Sequence, residues 1–166
     1  MDTRKLTFSA LLIALGTLLG HVIYIPVGVA KCFPIQHTIN VLSAVLLGPG
    51  FALSNAFLIS LLRNILGTGS PLAFPGSMLG AILAGYLFQR TKKYSYTVAG
   101  EIFGTGVLGG LASYPIAKYI LGKEVAVMFF VVPFLISTIG GSLIGLAILK
   151  LLERNSWLEK QGFLRR

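Results

Sequence analysis

Gln36 and Asn40 stand at i, i+4 spacing, so on a helix their amides share one face, with the His37 imidazole beside them. These groups are neutral donors and acceptors, suited to holding a hydroxyl or a ring nitrogen. A second polar block, RNILGTGSPLAFPGS at residues 63–77, contributes Arg63 and Asn64, the turn Gly67, Thr68, Gly69 and Ser70, and then Phe74 and Ser77. Tyr114 and Lys118 repeat the i, i+4 relation further along, and Phe33, Phe129, Phe130 and Phe134 add aromatic surface. Aromatic walls with a few placed polar groups suit a small heteroaromatic ligand. Phe33, Phe74 and Phe130 are expected to sandwich its ring. His37, Asn40, Asn64 and Ser77 are expected to bond its nitrogen and hydroxyl, with Gln36 and Tyr114 as further contacts. Arg63, Lys118 and the turn Gly67, Thr68, Gly69 and Ser70 are expected to shape the site.

Each of these residues also has a plainer role. Gln36, His37 and Asn40 can tie neighbouring helices together, Arg63 can brace the carbonyls of the turn, the aromatics can belong to an interfacial belt, and Lys118 can snorkel. Glu101 is the one acid well inside a predicted span, which makes it a functional candidate by default. Its position near one end of that span favours a capping or interfacial role close to Lys92 and Lys93 over a proton relay. Cys32, His21 and His37 have no metal-ligand spacing, so neither a metal nor a cofactor is expected. His37 with Ser70 or Ser77 lacks any G-x-S-x-G or H-E-x-x-H context, so no catalytic residue and no enzyme is expected. Gly67-Thr68-Gly69-Ser70 lacks the lysine of a phosphate loop, so the chain cannot hydrolyse ATP by itself.

These side chains sit in an apolar sequence. Hydrophobic residues make up 55% of the 166 and charged ones 11%, against roughly 25% charged in soluble domains; the mean hydropathy is +0.83. A single-domain, all-α membrane protein of six transmembrane helices is predicted, over 6–25, 36–47, 50–66, 74–89, 97–121 and 125–152. The second is short for a span, and residues 153–166 are expected to lie along the membrane surface. Breakers fall at Pro26, Pro34, Gly48-Pro49-Gly50, Gly67 to Pro71 and Gly122. Glycines at four-residue spacing (Gly76 and Gly80, Gly106 and Gly110, Gly141 and Gly145) predict close helix contacts. Of the 14 basic residues, ten fall on the side of the N-terminus and four on the other. The positive-inside rule therefore puts both termini in the cytoplasm and the loops with Lys31, Gly67–Ser70 and Lys123 outside, converging on one mouth. That face has no acidic cluster, which disfavours a cationic ligand.

The chain resembles the substrate-binding S components of energy-coupling factor (ECF) transporters, prokaryotic cell-membrane proteins that capture vitamins or their precursors, and among them the ThiW family. Two blocks carry the resemblance, YIPVGVAKCFPIQHTIN at 24–40 and SLLRNILGTGSPLAFPGSMLG at 60–80, supported by LLGPG at 46–50, GEIFGT at 100–105, SYPI at 113–116, GKE at 122–124, PFLISTIGG at 133–141 and the Ala10-x-x-x-Ala14 pair. The resemblance implies capture of the thiamine precursor hydroxyethylthiazole near the outer face, under the loops after the first, third and fifth helices. It also implies an ECF T component and two ATP-binding subunits as partners, with Ala10 and Ala14 against the T component. The alternatives are an S component for thiamine, hydroxymethylpyrimidine or another small vitamin, and a self-sufficient proton-coupled transporter using Glu101.

Overall fold

A computed structural model describes residues 3–27 and 30–156. It contains six helices: α1 (Thr3–Leu19), α2 (Pro34–Leu46), α3 (Pro49–Ile65), α4 (Ala73–Thr91), α5 (94–120) and α6 (Val131–Arg154). A short antiparallel ribbon, β1 (Ile25–Val27) with β2 (Ala30–Cys32), joins α1 to α2, pairing Ile25 with Cys32 and Val27 with Ala30.

The sequence suggested a first helix running to Ile25, but α1 stops at Leu19 and the chain turns into the ribbon. The last helix was expected from Val125 and starts at Val131. Proline explains the difference: Pro133 falls in the first turn of α6, where no N–H is needed, whereas a helix begun at Val125 would bury it in the interior. Pro115 does lie inside a helix, and α5 accommodates it by widening. Its α-helical stretches Tyr94–Glu101 and Gly110–Pro115 are each followed by π-helical turns, Ile102–Gly109 and Ile116–Ile120. Of the predicted surface tail, residues 153 and 154 end α6, 155 and 156 form a turn, and the remainder lies outside the described residues.

The shortest helix is the central one. At 13 residues α2 is about 20 Å long, well short of a bilayer core. Every one of its residues except Ile35 is buried among α1, α3, α4, α5 and α6. A helix enclosed by other helices can be rich in polar groups, because protein rather than lipid satisfies them. The interior accordingly mixes buried polar groups with an apolar cluster that includes Leu12, Ile39, Val41, Leu46, Ile59 and Leu149, while the outside is apolar. Asn55, Ser60, Thr97, Thr105 and Ser142 are fully buried, while Leu18, Val22, Ile65, Tyr119, Ile120 and Val132 are exposed. Among the described helices, α6 alone combines the length and apolarity to cross a membrane by itself.

Gly76 and Gly80 do bring α4 close to α5, but their partners there are Gly104 and Gly109; the expected Gly106 and Gly110 face Leu135 and Val131 of α6 instead. A Cβ on Gly104 would stand 2.7 Å from the Gly80 Cα, and one on Gly109 would stand 2.5 Å from the Gly76 Cα, so α4 and α5 meet almost backbone to backbone. Gly141 meets the Pro34 carbonyl in the same way, seating α6 on the start of α2.

Candidate functional site

At the end of the bundle remote from the N-terminus, the ribbon, the α3–α4 loop and the α5–α6 loop surround a cavity of about 620 Å³. The ribbon and the start of α2 supply Cys32, Phe33, Gln36 and His37. The α3–α4 loop supplies Gly67, Thr68, Gly69 and Ser70, and α4 adds Gly76 and Ser77. Lys123, Phe129, Phe130 and Phe134 close the remaining side.

Beneath it lies a hydrogen-bond network centred on Glu101, a fully buried residue. Its Oε1 accepts from Asn40 Nδ2 (2.9 Å) and Thr105 Oγ1 (2.9 Å) and lies 3.0 Å from His37 Nδ1. Three donors converging on one oxygen fix the imidazole with its proton on Nδ1, donated to Glu101, and leave Nε2 without a protein partner among the described residues. Asn40 also donates to Ser77 Oγ at 2.9 Å, linking α2, α4 and α5 in one patch. Glu101 Oε2 is buried without a partner. The capping role near Lys92 and Lys93 is thus overturned. The helix begins at Tyr94 rather than Thr97, and Glu101 points inward against Gly80, the position on α4 with no side chain to obstruct it.

The wall is built from Arg63, which is only 1% exposed. It donates through Nη1 to Gln36 Oε1 (2.6 Å) and through Nη2 to the Thr68 carbonyl (3.1 Å), and Gln36 in turn donates to Ser60 Oγ at 2.9 Å. The guanidinium carbon lies 4.3 Å from the Phe33 ring centroid. The α3–α4 loop leaves the helix by a tight turn in which Thr68 and Gly69 both donate to the Arg63 carbonyl at 2.9 Å; Gly67 adopts φ +69°, open to glycine at little cost. Asn64 ties the loop down by donating to the carbonyls of Ser60 (2.7 Å) and Ser70 (3.1 Å).

Of the residues singled out from sequence, Phe33, Gln36, His37, Arg63, Gly67, Thr68, Gly69, Ser70, Ser77 and Phe130 meet around this cavity. Asn40 does not reach it and serves the Glu101 network instead. Asn64 supports the loop from behind. Phe74 packs on Phe57, with ring centroids 5.7 Å apart, away from the cavity. Tyr114 and Lys118 contact each other (Nζ to Oη 3.4 Å) and also stand outside it. In their place come Ser137, which accepts from the Phe33 backbone N–H at 2.9 Å, and Pro133, whose carbonyl accepts from the Cys32 thiol at 3.1 Å. Burial pushes the Cys32 thiol up from its ordinary value. Pro133 and Ser137 fall within the block PFLISTIGG, yet their chemistry did not single them out as site residues, since both face the cavity only once α6 docks on the ribbon.

A buried polar network inside an apolar exterior, with a cavity of ligand size at one end, defines a helical membrane protein built around a small-molecule site. The family model described as "Thiamine-precursor transporter protein (ThiW)" matches residues 6–155, and the chain belongs to that family. It is a thiamine-precursor transporter protein, not a member of an enzyme family. No curated protein and no solved structure matches the chain at a significant level.

Proposed function

We propose that this chain is the substrate-binding S component of an ECF-type transporter, crossing the cell membrane six times with both termini cytoplasmic. It would capture the thiazole precursor of thiamine, hydroxyethylthiazole, at the outer face. The observation that carries the reading is the convergence of the three odd-numbered connections on one cavity, at the end opposite the basic fringe of Arg4, Lys5, Arg90, Lys92 and Lys93. Phe33, Phe130 and Phe134 offer ring faces to a heteroaromatic. His37 Nε2, held by Glu101 through the far side of the ring, accepts a ligand hydroxyl, and Ser77 stands beside it. The lining contains no acid, which suits a neutral or anionic ligand over cationic thiamine.

The chain has no phosphate loop, so uptake draws on ATP-binding subunits through a T component. Ala10 and Ala14 are exposed on α1 and form the smooth stripe that would meet that partner. Isothermal titration of the purified chain with hydroxyethylthiazole and with thiamine tests the substrate. Tighter binding of the thiazole is expected, and an equal or reversed preference defeats the assignment. Ala14→Leu is expected to abolish uptake in cells while leaving binding by the isolated chain intact.

The buried Glu101 with its unpartnered Oε2 favours one other reading, a self-sufficient proton-coupled carrier. Uptake that survives Glu101→Gln yet disappears with the ATP-binding subunits excludes it.

A further inference from the structure

The thiazole reading leaves one property of the cavity unused, its charge. Arg63 lines the cavity almost fully buried, and its two hydrogen bonds among the described residues go to neutral acceptors, Gln36 Oε1 and the Thr68 carbonyl. Its Nε is buried with no partner. Lys123, from the α5–α6 loop, lines the same space from an exposed position. Neither cation stands within ion-pair distance of a carboxylate among the described residues, and no acid lines the cavity. A guanidinium withdrawn from water without a counter-charge is unfavourable, and an anion arriving in the cavity relieves that penalty. The guanidinium fork matches an oxyanion in shape as well as in charge. Ser70 stands nearby on the loop, its Oγ accepting from the Leu72 N–H at 3.2 Å and its hydroxyl proton uncommitted among the described residues.

We propose that the Arg63 and Lys123 side of the cavity is an oxyanion subsite and that the chain takes an anionic ligand. On the thiazole reading, on which the choice of ligand rests, that ligand is the phosphate monoester of the thiazole alcohol. The volume agrees: about 620 Å³ lies in the range of drug-sized ligands and exceeds what the small alcohol fills. The ring then sits among the phenylalanines and the phosphate beside Arg63, with Lys123 over the entrance.

The test uses the full chain in detergent and three probes: hydroxyethylthiazole, its phosphate monoester and inorganic phosphate. The ester is expected to bind at least about tenfold more tightly than the alcohol. That advantage should shrink with added salt and fall in both Lys123→Ala, an exposed change that leaves folding intact, and Arg63→Lys, which keeps the charge but loses the fork. Inorganic phosphate should compete with the ester and raise the melting temperature. Equal affinity for alcohol and ester, with phosphate inert, refutes the subsite and leaves the thiazole reading standing. Failure of both organic probes, with phosphate stabilising the wild type but not Lys123→Ala, keeps the subsite and removes the thiazole. No response to any of the three overturns both.

Discussion

Replacing Glu101 by alanine tests whether the buried network holds the cavity floor in shape. The substitution deprives the His37, Asn40 and Thr105 donors of their common acceptor, Oε1. Interhelical hydrogen bonds in membrane bundles average about 0.6 kcal/mol each, which sets a lower figure near 1 kcal/mol for the two that cross from α2, before the Thr105 bond within α5 is added. Stranding buried donors costs about 1–3 kcal/mol apiece, although the three are coupled and do not add fully. Removing a buried carboxylate gives some of this back. A loss of about 2–5 kcal/mol follows. Glu101→Gln should behave differently, because its amide oxygen still accepts the three donors and the main cost is an amide nitrogen placed where Oε2 has no partner. A loss of about 1–2 kcal/mol is expected there. The assay is reversible unfolding of the detergent-solubilised protein for both variants, paired with ligand titration. The alanine variant should lose most of its affinity, since His37 is then free to rotate, and the glutamine variant should keep most of it. An alanine variant as stable and as tight-binding as the glutamine variant would show that the network does not organise the site.

Gly104→Ala should destabilise the bundle by about 1–3 kcal/mol or more, because its Cβ meets the Gly80 backbone, which has no flexible atom to give way. Gly50→Ala, with open space around it, is the matched control and should be neutral or slightly stabilising in the same thermal melts. Asn64→Ala, which frees the α3–α4 loop without touching the cavity, should weaken ligand binding several-fold mainly through faster dissociation, as stopped-flow release would show. Cys32 is the sole cysteine, so it serves as a native probe. Its raised, buried thiol should react slowly with a maleimide at neutral pH, more slowly still with ligand bound and rapidly in denaturant. In intact cells an impermeant maleimide should reach it from outside; labelling only from the cytoplasm would invert the proposed topology.

Much of the site was legible in the chain because its signals are local. Gln36, His37, Arg63, Ser77 and the 67–70 turn are polar or turn-forming residues in an apolar sequence, where few roles besides a cavity or a helix contact are open to them. Which of those two roles each plays was not legible. Asn40 shares the Gln36 face at i, i+4, yet one turn deeper it meets Ser77 and Glu101 instead of the cavity. Phe74 and Tyr114 have suitable chemistry, but the helix rotation that turns Ser77 and Ser113 inward leaves them outside the cavity.

Composition and pattern alone settled the solvent this protein lives in, the number of its helices, and the proline and glycine breaks between them, because hydropathy, ring closure and backbone freedom are properties of each residue and its near neighbours. Docking of the helices decided what Glu101 does, that Arg63 is a buried cation with no acid beside it, and that the shortest helix forms the centre. Those outcomes depend on which side chains distant in sequence come within hydrogen-bond range. His37 and Glu101 are 64 residues apart, and only the packing of α2 against α5 brings them to 3.0 Å.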